Sequence, residues 1–238
     1  MIENDFRTPC PVHRRGALRL LAGVPALLLG GRVQAQTAAV DVPTPACVVT
    51  PAQTEGPYFV DERMNRDDIR VDPTTAAISP GSRLALDLRV AGVSGGRCAP
   101  LADAIVDLWQ CDALGDYSGV GAMRGRRFLR GFQRTDAHGR VRFTTIYPGA
   151  YPGRAVHIHF KVRASGSAGP LEFTSQLYFD DTLTDRVHAA GPYAAVASRR
   201  THNARDGLYR QGGRELTLDV REAGDGYATT YTIGMKIA

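Results

Sequence analysis

The sequence lacks an apolar run long enough to cross a bilayer comfortably, for which about 20 consecutive residues are needed. The apolar run from residue 20 to residue 29 is too short, and no other stretch is apolar for long enough. Internal repeats and low-complexity segments are also absent. We therefore expect no membrane span in the mature chain, no repeat architecture and no second domain.

The N-terminal region predicts an export signal over residues 1–35. A basic region containing Arg14 and Arg15 precedes the apolar run, and residues 33–35 supply small side chains before a cut. The paired arginines favour the twin-arginine route, although ordinary secretory signals also contain such pairs by chance. The mature protein is therefore expected in the periplasm or outside the cell.

Positive charge is concentrated in this signal. The 238-residue chain has a formal net charge of +5, and residues 1–35 contain five Arg and two acidic residues, so the mature chain would carry +2. A charge so close to zero does not indicate a nucleic-acid partner. The sequence does not indicate an oligomeric state.

Cysteine is scarce, and only Cys47, Cys98 and Cys111 follow the predicted signal. An exported protein can form disulfides. Cys98 and Cys111 lie at opposite ends of a predicted strand over residues 104–110, which at about 3.3 Å per residue places them too far apart to bridge. Any intramolecular disulfide is therefore expected to use Cys47, with its partner left open.

Alternation of apolar and polar residues predicts strands through most of the mature chain. Residues 36–80 are Pro-rich and irregular and are expected to form an N-terminal arm on a domain over residues 81–238. A single short helix is expected within residues 181–197. This pattern predicts a mainly β fold, a sandwich or barrel with irregular loops and little helix. Strands are predicted at residues 84–90, 104–110, 128–135, 140–146, 156–162, 171–179, 215–220 and 227–237.

Two histidines dominate the middle of the chain. His157 and His159 alternate with apolar residues over 156–162, so both imidazoles project from one face of a strand. The preceding loop, residues 147–154, adds two phenols and a guanidinium. A His-x-His pair alone is more often a surface feature, and zinc, copper and iron all accept imidazole. The combination predicts a metal site whose metal depends on the remaining ligands.

Three motifs follow one another in order around these histidines. They are Trp-Gln-x-x-Ala-x-Gly-x-Tyr over residues 109–117, Thr-Ile-x-Pro-Gly-x-Tyr-Pro over 145–152 and Arg-x-x-His-x-His-Phe over 154–160. The similarity continues through residues 174–179 and covers roughly residues 53–203. The ordered set resembles the intradiol ring-cleavage dioxygenases. The resemblance implies a β-sandwich and a mononuclear, non-haem iron(III) cofactor.

The resemblance also implies the metal ligands, which are Tyr117, Tyr151, His157 and His159. Two tyrosines distinguish this set from the iron(II) oxygenases, which use a carboxylate. Tyr147 falls where members of the family differ, and it is expected to be a neighbour of the site and not a ligand.

Further roles follow from the same resemblance. Arg154 and Gln176 match residues that face the substrate, and Tyr151 matches the phenolate that acts as a base for the substrate proton. Tyr58 is expected to line the pocket. The implied partners are O2 and a small catecholic molecule, whose ring is cleaved between the two hydroxyl carbons to a cis,cis-muconate-type diacid.

Two other classes of function stay open. The first is a secreted zinc or copper protein that uses His157 and His159 with a different third ligand. The second is a non-catalytic secreted sandwich that binds a ligand. The short segment between Tyr151 and His157, which exported members of the family share, implies an open pocket and leaves the choice of catechol undecided.

Overall fold

Nine strands and one α-helix form from the residues that the computed structural model describes, 48–166 and 169–237. The strands are β1 Arg83–Ser94, β2 Arg97–Pro100, β3 Ile105–Trp109, β4 Arg130–Arg134, β5 Arg140–Ile146, β6 His157–Gly166, β7 Gly169–Tyr178, β8 Arg221–Ala223 and β9 Gly226–Lys236. The helix is α1, Asp181–His188. Short 3-10 helices lie at Gly121–Met123, Gly191–Ala195, Ala197–Arg199 and Asn203–Arg205.

Within these described residues the strands form two sheets. In the first, β1 pairs antiparallel with β5 through Arg83–Arg89 and with β2 through Ala91–Ser94, and it pairs in parallel with β9. β8 extends this sheet beside β9. The second sheet has the order β4-β3-β6-β7 with antiparallel pairing throughout.

Alternating apolar residues of both sheets meet in one hydrophobic core. Leu84, Leu86 and Leu88 of β1 are buried, as are Ile158 and Phe160 of β6, and all five belong to one cluster. Burial of this kind stabilises by about 1.5–3 kcal/mol per large apolar side chain. The mainly β sandwich that the sequence predicts is therefore confirmed.

The helix begins where the sequence indicates but ends earlier. Asp180 caps α1, since its side chain accepts a hydrogen bond from the amide of Leu183 at 2.9 Å. The α-helix ends at His188, and the rest of the predicted segment to residue 197 forms 3-10 turns beginning at Gly191. Pro192 at the start of these turns lacks the N–H that a continuing helix needs.

The strand predicted at residues 215–220 was wrong. Only Thr217 forms a bridge there, with Tyr178 at the end of β7. Leu216 and Leu218 are buried, which accounts for the alternating pattern. Their backbones bond to Tyr178 at the end of β7, but the Leu216 amide donates to Gly213 O at 3.2 Å within a turn. The adjacent strand begins later, at Arg221.

The cysteines agree with the expectation that Cys98 and Cys111 do not pair. Cys98 is disulfide-bonded, whereas Cys111 is a buried free thiol. Cys47 and the predicted export signal over residues 1–35 lie outside the described residues. No helix in the described part of the chain is long and apolar enough to span a membrane.

Candidate metal centre and active site

The second sheet carries the candidate site on the face opposite the core. His157 and His159 on β6 project from this face, whereas Ile158 between them belongs to the core. His159 is paired with Trp109 on β3 and with Gln176 on β7. The Trp109 ring stacks on the His159 imidazole with centroids 5.0 Å apart and an interplanar angle of 8°. Strand alternation thus places both imidazoles in one site.

The loop after β3 carries Tyr117 to these histidines. Asp112 folds the first part of this loop, because its Oδ1 accepts a hydrogen bond from the amide of Asp116 at 3.0 Å. Ser118 closes the other end, since its hydroxyl donates to Phe128 O at 2.5 Å. These two hydrogen bonds therefore restrain the loop on both sides of Tyr117.

Tyr151 arrives on the loop between β5 and β6. The amide of Gly149 in this loop donates to Asp112 O at 3.0 Å, so a backbone hydrogen bond joins the two tyrosine loops. The rings of Tyr117 and Tyr151 meet edge to face with centroids 5.8 Å apart. Tyr117 is buried and Tyr151 is half-buried, so Tyr151 is the more accessible of the two phenols.

Four donor atoms converge at the centre of the site. His157 Nε2 lies 3.0 Å from His159 Nε2. It also lies 3.1 Å from Tyr151 Oη and 3.5 Å from Tyr117 Oη. The Nδ1–H of His157 donates to Ala155 O at 2.6 Å, which leaves the Nε2 lone pair facing the other three atoms. The structure therefore brings the four predicted ligands together in an arrangement that a cation would stabilise.

Burial keeps these four groups uncharged in the protein alone. It raises the pKa of the Tyr117 and Tyr151 phenols. It lowers the pKa of His157 to about 3, and it lowers the pKa of His159 with a further contribution from His157. Neutral imidazole is the metal-binding form, and a metal ion also favours ionised oxygen ligands.

The tyrosines are needed to complete any metal site. Among the described residues, no group of three or more His, Cys, Asp or Glu could hold a metal ion. His157 and His159 instead meet the phenols of Tyr117 and Tyr151 at the distances given above. Imidazole suits zinc, copper, iron and nickel, so two imidazole nitrogens and two phenol oxygens fit a transition-metal ion.

Arg154 and Gln176, which the sequence predicts to face the substrate, are joined directly. Arg154 Nη2 donates to Gln176 Oε1 at 2.5 Å and to Tyr178 Oη at 3.3 Å. Gln176 Nε2 donates to Thr54 O at 2.9 Å, and Tyr178 Oη donates to Gln53 Oε1 at 2.7 Å. These hydrogen bonds connect the Arg154 guanidinium to β7 and to the N-terminal arm.

The arm covers the site. The ring of Tyr58 stacks on that of Tyr117 with centroids 4.4 Å apart, and it meets Tyr151 edge to face at 6.4 Å. Glu55 forms an ion pair with Lys161, which projects from the same face of β6 as the two histidines. Tyr58, predicted to line the pocket, therefore lies beside two of the predicted ligands.

Tyr147 lies apart from the donor group. Its ring packs in the hydrophobic core against Phe179, with centroids 4.4 Å apart. Its hydroxyl is 2.7 Å from Thr184 Oγ1 on α1. Tyr147 thus anchors the start of the loop that carries Tyr151.

Comparison with known proteins identifies the family. The dioxygenase family model (Dioxygenase_C) matches residues 54–221, which is more than half of the chain. The solved structure of an intradiol ring-cleavage dioxygenase from Tetranychus urticae is 30% identical with a TM-score of 0.70, over 80% of this chain and 95% of that one. The chain belongs to the intradiol ring-cleavage dioxygenase family.

Curated members of this dioxygenase family align over a shorter part of their length. Catechol 1,2-dioxygenase 2 from Acinetobacter lwoffii is 32% identical over 150 residues, which is 55% of this chain and 51% of that protein. The protocatechuate 3,4-dioxygenase beta chain from Burkholderia cepacia is 35% identical over 142 residues, 52% of this chain and 59% of that protein. The chain thus spans about half the length of the curated relatives that it matches.

One residue of this dioxygenase site had no signal in the sequence. The Oδ2 atom of Asp206 accepts hydrogen bonds from Arg154 Nε at 3.0 Å and from the amide of Ala155 at 2.8 Å. Burial alone would raise the pKa of this carboxyl, but these two donors outweigh it and the pKa is lowered. Because 52 residues separate Asp206 from Arg154, only the fold brings them together.

Proposed function

We propose that this chain is an exported, mononuclear iron(III) dioxygenase that cleaves a catecholic ring between its two hydroxyl carbons. The observation that carries the proposal is the convergence of the Tyr117 and Tyr151 phenols on the His157 and His159 imidazoles. Family membership supports it. O2 is the second substrate, and the product is a cis,cis-muconate-type diacid.

The donor set favours the ferric ion over its alternatives. Two phenolates would supply two negative charges to a trivalent cation, whereas iron(II) oxygenases use two histidines and one carboxylate. When bound, iron(III) would chelate both catechol oxygens and withdraw electron density from the ring, which makes a ring carbon open to O2. Tyr117, Tyr151, His157 and His159 would hold it.

Exposure distinguishes the two phenols. Tyr117 is buried and is stacked under Tyr58, so its ring is fixed. Tyr151 is half-buried and lies on a loop, so it has room to move when a substrate enters. With the metal bound, the Tyr151 phenol would be ionised. Its Oη would then accept a proton from a catechol hydroxyl, while Tyr117 keeps its position.

Arg154 supplies a fixed positive charge beside the reacting ring. Its guanidinium cannot be neutralised at ordinary pH, and its Nη2 is held by Gln176. A preorganised charge in a site with little water stabilises developing negative charge strongly. Arg154 and Gln176 together orient the substrate, and Tyr58 closes the pocket beside Tyr151.

Metal analysis combined with an absorption spectrum tests this function. Tyrosinate bound to iron(III) absorbs visible light, so the purified protein should be coloured and contain one iron per chain. O2 uptake with catechol, protocatechuate and hydroxyquinol should accompany formation of the ring-opened diacid. A colourless protein with stoichiometric zinc would overturn the proposal. Bound iron with no turnover on any of the three would favour a non-catalytic binding protein.

A further inference from the structure

We propose that Asp206 is a positioning residue for ring cleavage, because one carboxylate fixes both Arg154 and the backbone that orients His157. This inference rests on the function proposed above. Asp206 accepts hydrogen bonds from the Arg154 guanidinium and from the Ala155 amide, and it acts through these two groups.

Both oxygens of the Asp206 carboxylate accept hydrogen bonds. Oδ2 accepts from Arg154 Nε at 3.0 Å and from the amide of Ala155 at 2.8 Å, while Oδ1 accepts from the amide of Leu208 at 2.7 Å. The side chain is 1% exposed, so water offers no alternative partner. A carboxylate held from both sides has one orientation, and it transmits that orientation to Arg154.

The shape of the guanidinium carries this constraint to the active site. The group is planar and rigid, so fixing its Nε edge also fixes the direction of its Nη2 edge. Nη2 is the atom that meets Gln176 at 2.5 Å and Tyr178 at 3.3 Å. Without Asp206, the Arg154 guanidinium could rotate about its flexible aliphatic chain and lose its hydrogen bond to Gln176.

The second contact of Asp206 leads to the metal ligand. Ala155 donates its amide to Asp206 and accepts the Nδ1–H of His157 at 2.6 Å through its carbonyl. One residue therefore connects the carboxylate to the group that fixes the His157 tautomer. Partners of this kind orient metal-bound histidines.

A purely local role for Asp206 predicts different behaviour. The carboxylate also accepts a hydrogen bond from the amide of Leu208 in the following turn. Its removal would therefore lower the stability of the fold whether or not Asp206 positions Arg154. Asp72 provides a matched control, because it is equally buried and also accepts from an arginine, Arg126, and from the amide of Arg127 at 3.2 Å. Asp72→Asn thus makes the same chemical change in a similar cluster that does not contain Arg154.

The first measurement needs neither iron nor turnover. In the metal-free protein, the Arg154 Nε–H NMR signal, assigned by its loss in Arg154→Gln, should exchange slowly with solvent because its acceptor is a buried carboxylate. Asp206→Asn should speed that exchange by about tenfold or more, whereas Asp72→Asn should leave it unchanged. An unchanged signal in Asp206→Asn would overturn the positioning role.

The second measurement is a double-mutant cycle on the iron-loaded enzyme. Asp206→Asn should keep the tyrosinate absorption and lower kcat by about 10- to 100-fold, the scale of a small misplacement of a catalytic group. In an Arg154→Gln background it should lower kcat by clearly less than in wild type, because only the part of its effect that passes through Ala155 and His157 remains. Effects that multiply would show that Asp206 acts independently and would overturn the inference.

Two further comparisons keep the test decisive. If Asp206→Asn does not fold, Asp206→Glu keeps the charge but displaces the carboxylate by one methylene, and it should give the same faster exchange of the Arg154 signal. If wild type is colourless and inactive, the proposed function fails, while the NMR result in the metal-free protein still supports or overturns the positioning of Arg154.

Discussion

Gly115 lies against the carbonyl group of Ala150, so closely that a Cβ at Gly115 would stand 2.5 Å from Ala150 O. The contact joins the loop that carries Tyr117 to the loop that carries Tyr151. Gly115 also has a φ of +92°, which L-residues with a side chain rarely adopt. The close approach of two backbones therefore sets the separation of the two phenols.

Gly115→Ala should disturb the site as well as the fold. A matched control is Gly125→Ala in the same loop, where φ is +86° but nothing lies within 4 Å of the added methyl. Both variants should lose about 1–2 kcal/mol from the strained backbone. Gly115→Ala should lose about 1–3 kcal/mol more from the clash and should shift the tyrosinate absorption. Urea unfolding and a visible spectrum measure both effects, and equal results for the two variants would contradict the role of the contact.

Three tyrosines of neighbouring loops should differ sharply when each loses its hydroxyl. Tyr117→Phe and Tyr151→Phe remove predicted ligand atoms, so each should change or bleach the colour of the iron-loaded protein. Tyr147→Phe removes a hydroxyl that bonds Thr184 in the core, so it should leave the spectrum unchanged and cost about 1 kcal/mol of stability. A spectrum unaltered in both ligand variants would exclude tyrosinate coordination.

Local patterning was enough to predict the elements that carry the site. The alternation around His157 and His159 predicts a strand with both imidazoles on one face, and β6 has that arrangement. The motif positions of Tyr117 and Tyr151 also led to side chains that meet these histidines. The strand prediction succeeded because alternation is a local property of β6, whereas the roles of Tyr117 and Tyr151 come from the family resemblance and stay predictions.

Features that depend on distant parts of the chain could not be predicted in this way. Asp206 resembles any other acidic residue in the sequence, and its partner Arg154 is 52 residues away. The alternation of Leu216 and Leu218 reflects burial. The segment forms a single bridge to the end of β7 and no longer ladder, so the alternation suggested a strand that does not form. Burial and strand pairing produce the same local pattern, and only tertiary contacts separate them.

Asp72→Asn should lower stability in a pH-dependent way. Burial alone would raise the pKa of Asp72, but hydrogen bonds from Arg126, Thr74 and the Arg127 amide outweigh it and lower the pKa to about 2. Because its pKa is lowered, the ionised Asp72 carboxylate stabilises the fold at pH values above about 4, the ordinary pKa of an aspartate. This contribution is lost as the pH falls toward 2. Wild type should exceed Asp72→Asn by about 1–3 kcal/mol at pH 7, measured by urea unfolding. The difference should shrink between pH 4 and pH 2, and a constant difference would contradict this account.

Export should depend on the N-terminal segment. We expect the mature chain to begin near Gln36 and to be found in the periplasm or outside the cell, because a basic region, an apolar run and small residues precede this position. N-terminal sequencing of the exported protein checks the cleavage, and an intact Met1 would contradict it. Replacing Arg14 and Arg15 with lysine should block export by the twin-arginine route. Unchanged export of that variant would indicate the general secretory route.

Arg154→Gln separates a catalyst from a protein that only binds. The variant keeps a side chain that can hydrogen-bond but loses the permanent charge beside Gln176, so it should still bind iron and still change colour with a catechol. Its turnover should fall by about 10²-fold, as when one preorganised electrostatic group is removed. Arg142→Gln is the matched control, since Arg142 Nε also pairs with a carboxylate, Asp87 at 3.1 Å, but on the first sheet. O2 uptake and product formation should be normal in that control, and full activity in Arg154→Gln would refute the assigned role.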